Sequence, residues 1–233
     1  MGRLVDFVFR SDVAVELVRS EFGVGLGFTD VKRGKAYYVD FLSVSWRTRF
    51  QKGLPKNHIF RRALGKNNEP LKVVDATAGF GQDTVMILSM GCEVIAVERS
   101  KEVMSVLEDG VERARREDVG MKKAFEKLKI ANADAREYLA NLKPEECPDV
   151  VYLDPMFDKP KKTAKSPKEM QLLQELLGNP PSVEEEMQLF DAAFKAAKKR
   201  VVVKRPIKAI ALKPSPAHSY KGQSVRYDVY VKA

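Results

Sequence analysis

Lys72-Val73-Val74-Asp75-Ala76-Thr77-Ala78-Gly79-Phe80-Gly81-Gln82-Asp83 holds the clearest strand-to-helix transition of the chain. A short apolar run ends in an acid, crosses a loop holding two glycines, and enters the run Thr84 to Met90, which is predicted as a helix. Strand, tight turn and helix in that order form the repeating unit of a parallel sheet.

Working outward, the same rhythm continues. Glu93–Glu98 is the next expected strand, and Glu102 to Arg116 reads as a charged amphipathic helix. Lys129–Ala133 is a weaker third strand, followed by a short helix around Ala135 to Leu142, and Val150–Leu153 is the fourth. Ser182-x-x-Glu185 is a capping box, opening a helix with apolar Val183, Met187, Phe190, Phe194 and Ala197 at helical spacing. Arg200–Lys204 is the fifth strand, and Val225–Val231 alternates as an antiparallel edge strand does. The expected fold is α/β, with a doubly wound, mostly parallel Rossmann-like sheet and a C-terminal antiparallel hairpin.

The N-terminal part breaks this rhythm. Val5–Phe9 and Ala36–Leu42 have strand character. Gly23, Gly25 and Gly27 fall between them without the following helix of a phosphate loop, so they read as turn or strand glycines. A basic segment follows, holding Arg47, Arg49, Lys52, Lys56, Arg61, Arg62 and Lys66, and enters a short helix ending near Leu64-Gly65. Residues 1–66 are therefore expected to form a small β-rich lobe that contacts substrate, and residues 67–233 the catalytic domain.

Composition narrows the class. The 233 residues carry 41 Lys and Arg against 32 Asp and Glu, a net charge of +9. Such an excess favours a polyanionic partner through phosphate neutralisation. No apolar run approaches the roughly 20 residues of a membrane span, and the N-terminus lacks a signal-peptide core. Cys92 and Cys147, with His58 and His218, lie too far apart in sequence to suggest disulfide stapling or a zinc site. A cytoplasmic protein without metal is expected.

The loop after the first strand has Gly79-x-Gly81 with Asp83 beyond, not the three-glycine spacing of a dinucleotide loop. An acid, Asp75, precedes it, which suits an amine-bearing ligand better than a phosphate. S-adenosylmethionine has an amine, a sulfonium and no phosphate. Glu98 at the end of the second strand can accept the ribose hydroxyls, and Asp134 after the third can take the adenine amine. Asp83 as a helix-start acid and Asp134 as an N-cap are the plain structural alternatives. Acids after four successive strands, Asp75, Glu98, Asp134 and Asp154, converge on the carboxyl edge where such sheets bind ligands.

The fourth of these acids opens Asp154-Pro155-Met156-Phe157. Asp154 offers a carboxylate to an amine, Pro155 stiffens the turn, and Phe157 offers a face for stacking on an extruded base, worth roughly 1–3 kcal/mol. Lys159, Lys161 and Lys162 follow directly, and Lys204 and Arg205 follow the fifth strand. With Arg47, Arg49, Lys52, Arg61 and Arg62 they are expected to form a phosphate-binding rim.

Several motifs together resemble one family: Asp75-Ala-Thr-Ala-Gly-x-Gly-x-Asp83, Gly91-Cys92-x-Val94, Glu98-Arg99, Val150-Val-Tyr-Leu-Asp-Pro-Met-Phe157, Lys168-Glu169-Met170 and Lys199-Arg-Val-Val-Val-Lys-Arg-Pro206. They are similar to those of the RsmJ-type methyltransferases, which methylate the N2 amine of a guanine in small-subunit (16S) ribosomal RNA with S-adenosylmethionine. The resemblance runs from about Tyr38 to Tyr230. It implies cofactor contacts at Gln82, Asp83, Glu98, Arg99, Ala133, Asp134 and Asp154, and ribosomal RNA or a partly assembled small subunit as partner. Two alternatives stay open: an amino-methyltransferase acting on adenine or cytosine in DNA or another RNA, and a non-catalytic nucleic-acid-binding protein with a vestigial pocket.

Overall fold

A computed structural model describes residues 15–30, 32, 35–65, 70–155, 168–178 and 181–232. The expected strand at Val5–Phe9 lies outside them.

Five strands run parallel: β4 (Lys72–Asp75), β5 (Glu93–Glu98), β6 (Leu128–Asn132), β7 (Val150–Leu153) and β8 (Arg200–Pro206). Antiparallel β10 (Val225–Val231) and β9 (His218–Lys221) complete a sheet in the order β6-β5-β4-β7-β8-β10-β9. The chain winds outward from β4 to β6, then returns to the other side of β4 with β7. That reversal leaves a crevice at the carboxyl ends of β4 and β7.

The strands read as continuous apolar runs because both sheet faces are covered. Val73, Tyr152, Val202 and Tyr227 face one core with helices α2 (Ile59–Leu64), α3 (Gln82–Leu88) and α4 (Lys101–Glu117). Val74, Val151, Leu153 and Val203 face the other, with α6 (Ala135–Ala140) and α8 (Val183–Ala196). Helix α4 starts at Ser100, whose side chain accepts from Val103 N, and buries Val103, Met104, Val106, Leu107, Val111 and Ala114 along one stripe. Replacing Leu107 there by Ala would cost about 2–5 kcal/mol. Helix α8 has the expected capping box, with Ser182 and Glu185 bonded reciprocally.

A second, antiparallel sheet holds β1 (Val15–Ser20), β2 (Gly23–Phe28) and β3 (Tyr37–Tyr38). It leans on α4, where Arg113 donates to Val39 O and pairs with Asp109 at 2.8 Å. Three elements differ from the expected pattern. The strand expected over residues 36–42 shrinks to Tyr37–Tyr38 because Asp40 Oδ1 accepts from Leu42 N and turns the chain. The basic segment forms two helices, α1 (Val44–Lys52) and α2, separated at Gly53, whose φ is 59°. Finally, β10 is an interior strand; the edge is β9, whose Ser219 Oγ donates to Asp228 at 2.7 Å. Helices α5 (Val119–Phe125) and α7 (Lys168–Leu177) were not foreseen.

Candidate active site

One cavity of about 290 Å³ opens at the carboxyl edge of the parallel strands. Gly79, Gln82, Asp83, Glu98, Arg99, Ala133, Asp134, Asp154 and Pro155 all line it. These residues come from the ends of β4, β5, β6 and β7 and from the first turn of α3, so the winding of the sheet gathers what the sequence separates.

The loop after β4 is tied down on both sides. Ala76 N donates to Tyr152 O at 3.0 Å, and Ala78 N to Val97 O at 3.1 Å. Asp75 itself is buried behind the loop, accepting from Thr84 Oγ1 at 2.6 Å and Thr77 N at 3.2 Å. Burial pushes its pKa up to about 7, against the lowering effect of the Thr84 bond. Neither Asp75 nor Gly81 is part of the cavity wall. Gly81 is the N-cap of α3 in a left-handed conformation.

Glu98 closes the adjacent side. Its carboxylate accepts from Gly79 N at 3.0 Å and Ser100 N at 2.8 Å, and burial raises its pKa. Each carboxylate oxygen has a second lone pair for a ligand hydroxyl. Asp134 caps α6 through Arg136 N at 2.8 Å and pairs with the Arg136 guanidinium at 2.7 Å. The Arg136 bond holds Asp134 below the usual carboxylate range, so it is an anion. Asp134 thus has the N-cap role and lines the cavity as well.

The floor is a compact polar group. Asp154 N donates to Thr77 Oγ1 at 2.7 Å, which fixes the end of β7 against the loop. Lys204 Nζ lies 2.9 Å from Asp154 Oδ2 and 2.8 Å from Asp83 Oδ2. Desolvation pushes Asp154 up to about 6, while Lys204 pulls it down and Asp83 pushes it up. Around the rest of the wall, Met170, Leu173 and Leu177 of α7, with Pro181 and Leu189, supply an apolar side. Nothing in the periodicity of the sequence pointed to α7 as a cavity wall.

Two basic residues depart from the expected rim. Lys204 lies in the cavity rather than on a surface, because within β8 it shares the face of Val202, beside Tyr227 of β10 and the end of β7. Arg205 is buried, pairing with Glu186 at 3.2 Å and donating to Ile210 O at 3.1 Å. Arg49, Lys52 and Arg62 are exposed on α1 and α2, and Arg47 and Arg61 half-buried. Arg62 lies over the Tyr220 ring at 4.6 Å. Phe157, Lys159, Lys161 and Lys162 lie outside the described residues.

The donor set fits S-adenosylmethionine. The acids Asp83, Glu98, Asp134 and Asp154 line the cavity, and at the Gly79 turn a Cβ would meet nothing within 4 Å. A cationic, amine-bearing and phosphate-free ligand suits that lining. Among the described residues no cluster of His, Cys, Asp and Glu could hold a metal ion.

Comparison with known proteins agrees with this geometry. The SAM_MT family of SAM-dependent methyltransferases matches residues 3–232. The ribosomal RNA small subunit methyltransferase J of Thioalkalivibrio sulfidiphilus is 36% identical over 217 residues, 92% of this chain and 84% of that protein. The protein of the same name from Hydrogenovibrio crunogenus is 40% identical over 195 residues, 82% of this chain and 68% of the relative. Among solved structures, a SAM-dependent methyltransferase from Neisseria gonorrhoeae aligns with a TM-score of 0.74 at 28% identity, covering 97% of this chain and 86% of that one. The chain belongs to the SAM-dependent methyltransferase family, among relatives named ribosomal RNA small subunit methyltransferase J.

Proposed function

We propose that this protein transfers a methyl group from S-adenosylmethionine to the exocyclic N2 of a guanine in small-subunit (16S) ribosomal RNA. The observation that carries the reading is Asp154 at the end of β7, its carboxylate in the same cavity as Glu98 and Asp134. Relatives at 36% and 40% identity bear the name of a small-subunit ribosomal RNA methyltransferase.

In this reading Glu98 holds the ribose hydroxyls, Asp134 the adenine amine, and the Gly79 turn lets the backbone approach the ligand. When bound, the cofactor supplies an electrophilic methyl on a sulfonium, and the S–C bond pair returns to sulfur on transfer. The guanine N2 lone pair is delocalised into the ring and needs aiming. Asp154 accepts one N2 hydrogen, directs the lone pair at the methyl, and takes the proton that N2 sheds as the C–N bond forms; that proton then passes to water. Positioning supplies much of the rate, since the donor is already activated. Phe157 is the residue proposed to stack on the base. Arg47, Arg49, Lys52, Arg61 and Arg62, with Lys159, Lys161 and Lys162, are proposed to hold the RNA backbone.

Such a substrate goes with a cytoplasmic protein, and among the described residues no helix is long and apolar enough to cross a membrane. The test is to supply methyl-labelled S-adenosylmethionine with small-subunit RNA, as naked RNA and as partly assembled subunits, and map the product by mass. Label in one guanine supports the reading. Label in adenine, or only in duplex DNA, overturns it.

A further inference from the structure

Six polar side chains gather on one face of the sheet at its carboxyl edge: Asp75 on β4, Asp83 on α3, Tyr152 and Asp154 at β7, Lys204 on β8 and Tyr227 on β10. Lys204 is the cation at their centre, 2.8 Å from Asp83 and 2.9 Å from Asp154. Asp83 Oδ2 also accepts from Tyr152 at 2.6 Å, and Tyr227 is the antiparallel partner of Lys204. Of these neighbours, Asp83 lies on helix α3 and Tyr227 on strand β10, and Asp154 directly follows strand β7.

We propose that Lys204 is a positioning residue for methyl transfer: anchored on Asp83, its ammonium keeps Asp154 ionised and turned so that one carboxylate oxygen is free for the substrate amine. The inference rests on the amine-acceptor role proposed above for Asp154. Lys204 takes Oδ2 of Asp154, and among the described residues no hydrogen bond is made to Oδ1. A second carboxylate, Asp83, stands beside the same ammonium. Two carboxylates this close oppose each other's ionisation unless a cation sits between them. The lysine is well placed to let both stay charged in a cavity partly shielded from water.

The other charged groups along the cavity wall are Glu98, Arg99, Asp134, Arg136, Glu185 and Glu186. Arg136 is engaged with Asp134, and Glu186 with Arg205. Lys204 is the cation in hydrogen-bond contact with Asp154. Removing it leaves burial and Asp83 to push the Asp154 pKa above its present value of about 6.

The experiment compares wild type, K204M and K204R in full-length protein. Single-turnover and steady-state methylation of small-subunit RNA are followed from pH 5 to 9, and the Asp154 carboxyl carbon is titrated by NMR without RNA. Expected for K204M is a fall in kcat of about 100-fold, the lower end of general acid–base effects, with KM for RNA changed less than about threefold. Its acid limb should move to higher pH, with part of the rate recovered at pH 9. K204R keeps the charge but not the reach, so its acid limb should stay in place while kcat falls about 10-fold.

An unmoved acid limb in K204M, or a loss confined to KM, would overturn the proposal. So would K204R at full rate, which also decides the matter if K204M does not fold. Should wild type methylate no guanine in RNA, the functional reading fails by itself. The NMR titration then still tests Lys204: an Asp154 curve identical in wild type and K204M removes its role.

Discussion

The Tyr152 hydroxyl donates to Asp83 Oδ2 at 2.6 Å, joining the strand that leads into Asp154 to the first turn of the helix after the Gly79 loop. Tyr152 is fully buried, and burial with the nearby Asp83 charge pushes its pKa well up, so it stays a donor. Its ring packs 5.1 Å from Phe60, which stacks in turn on Tyr227 at 4.9 Å. The aromatic column thereby positions the polar group above it.

Replacing Tyr152 by Phe keeps that column and removes one bond to a charged acceptor. The expected cost is about 1.5–3 kcal/mol of unfolding free energy. Urea unfolding checks it: the midpoint should fall with the slope unchanged.

The two loop glycines should respond differently to Ala. Gly81 has φ of 76°, and a Cβ there would meet Leu107 Cδ1 at 2.5 Å, so strain and a clash combine. Gly79 has φ of 52° with open space where its Cβ would stand. G79A should lose only about 1–2 kcal/mol of stability, the cost of the left-handed backbone, while weakening S-adenosylmethionine binding in calorimetry. G81A should lose more stability than G79A in thermal unfolding. Equal losses would show that Leu107 yields without cost.

Asp75 gives the protein a pH-dependent stability of definite sign. Its pKa in the fold is raised to about 7 from 3.8, so between those values the folded state binds more protons than the unfolded chain. Stability from this group is full below about pH 4 and declines as pH rises to 7, by on the order of 4 kcal/mol. In D75N that decline should disappear from the pH dependence of chemical unfolding. The level at low pH should change little, since the amide, like the protonated acid, can accept from Thr77 N on one side and donate to Thr84 Oγ1 on the other.

The exposed cations of α1 and α2 should act on RNA through charge alone. Combining R49A, K52A and R62A should reduce the slope of log affinity against log salt by about 2 for single-stranded RNA, at roughly 0.7 per phosphate contact. Filter binding across a salt series measures it. An unchanged slope would move the RNA path away from these helices.

The five parallel strands and the acids at their ends follow from the local sequence. The β7 strand was legible to the residue, and Glu93–Glu98 likewise, because fully covered parallel strands demand unbroken apolar runs that few other structures allow. Asp75, Glu98, Asp134 and Asp154 were legible as strand-end acids for the same reason. Helix α7 was not, because the wall it builds against the cavity depends on contacts with β1 and β2, distant in sequence. The edge strand β9 was hidden too: its four residues alternate too briefly to announce themselves, and pairing with β10 decides them.

Lys204 and Arg205, adjacent in sequence, part company in the fold. In sequence they are two neighbouring cations after an apolar run, fit for a phosphate rim. Their opposite sides of the strand take Lys204 to Asp83 and Asp154 in the cavity, and Arg205 to Glu186 in the interior. Period-two alternation tells that the two must diverge, but not what each will meet. What each meets is decided by the register of β8 against β7 and by where α3 and α8 pack. Those are long-range facts, and only the tertiary structure turned a rim lysine into the cation beside Asp154.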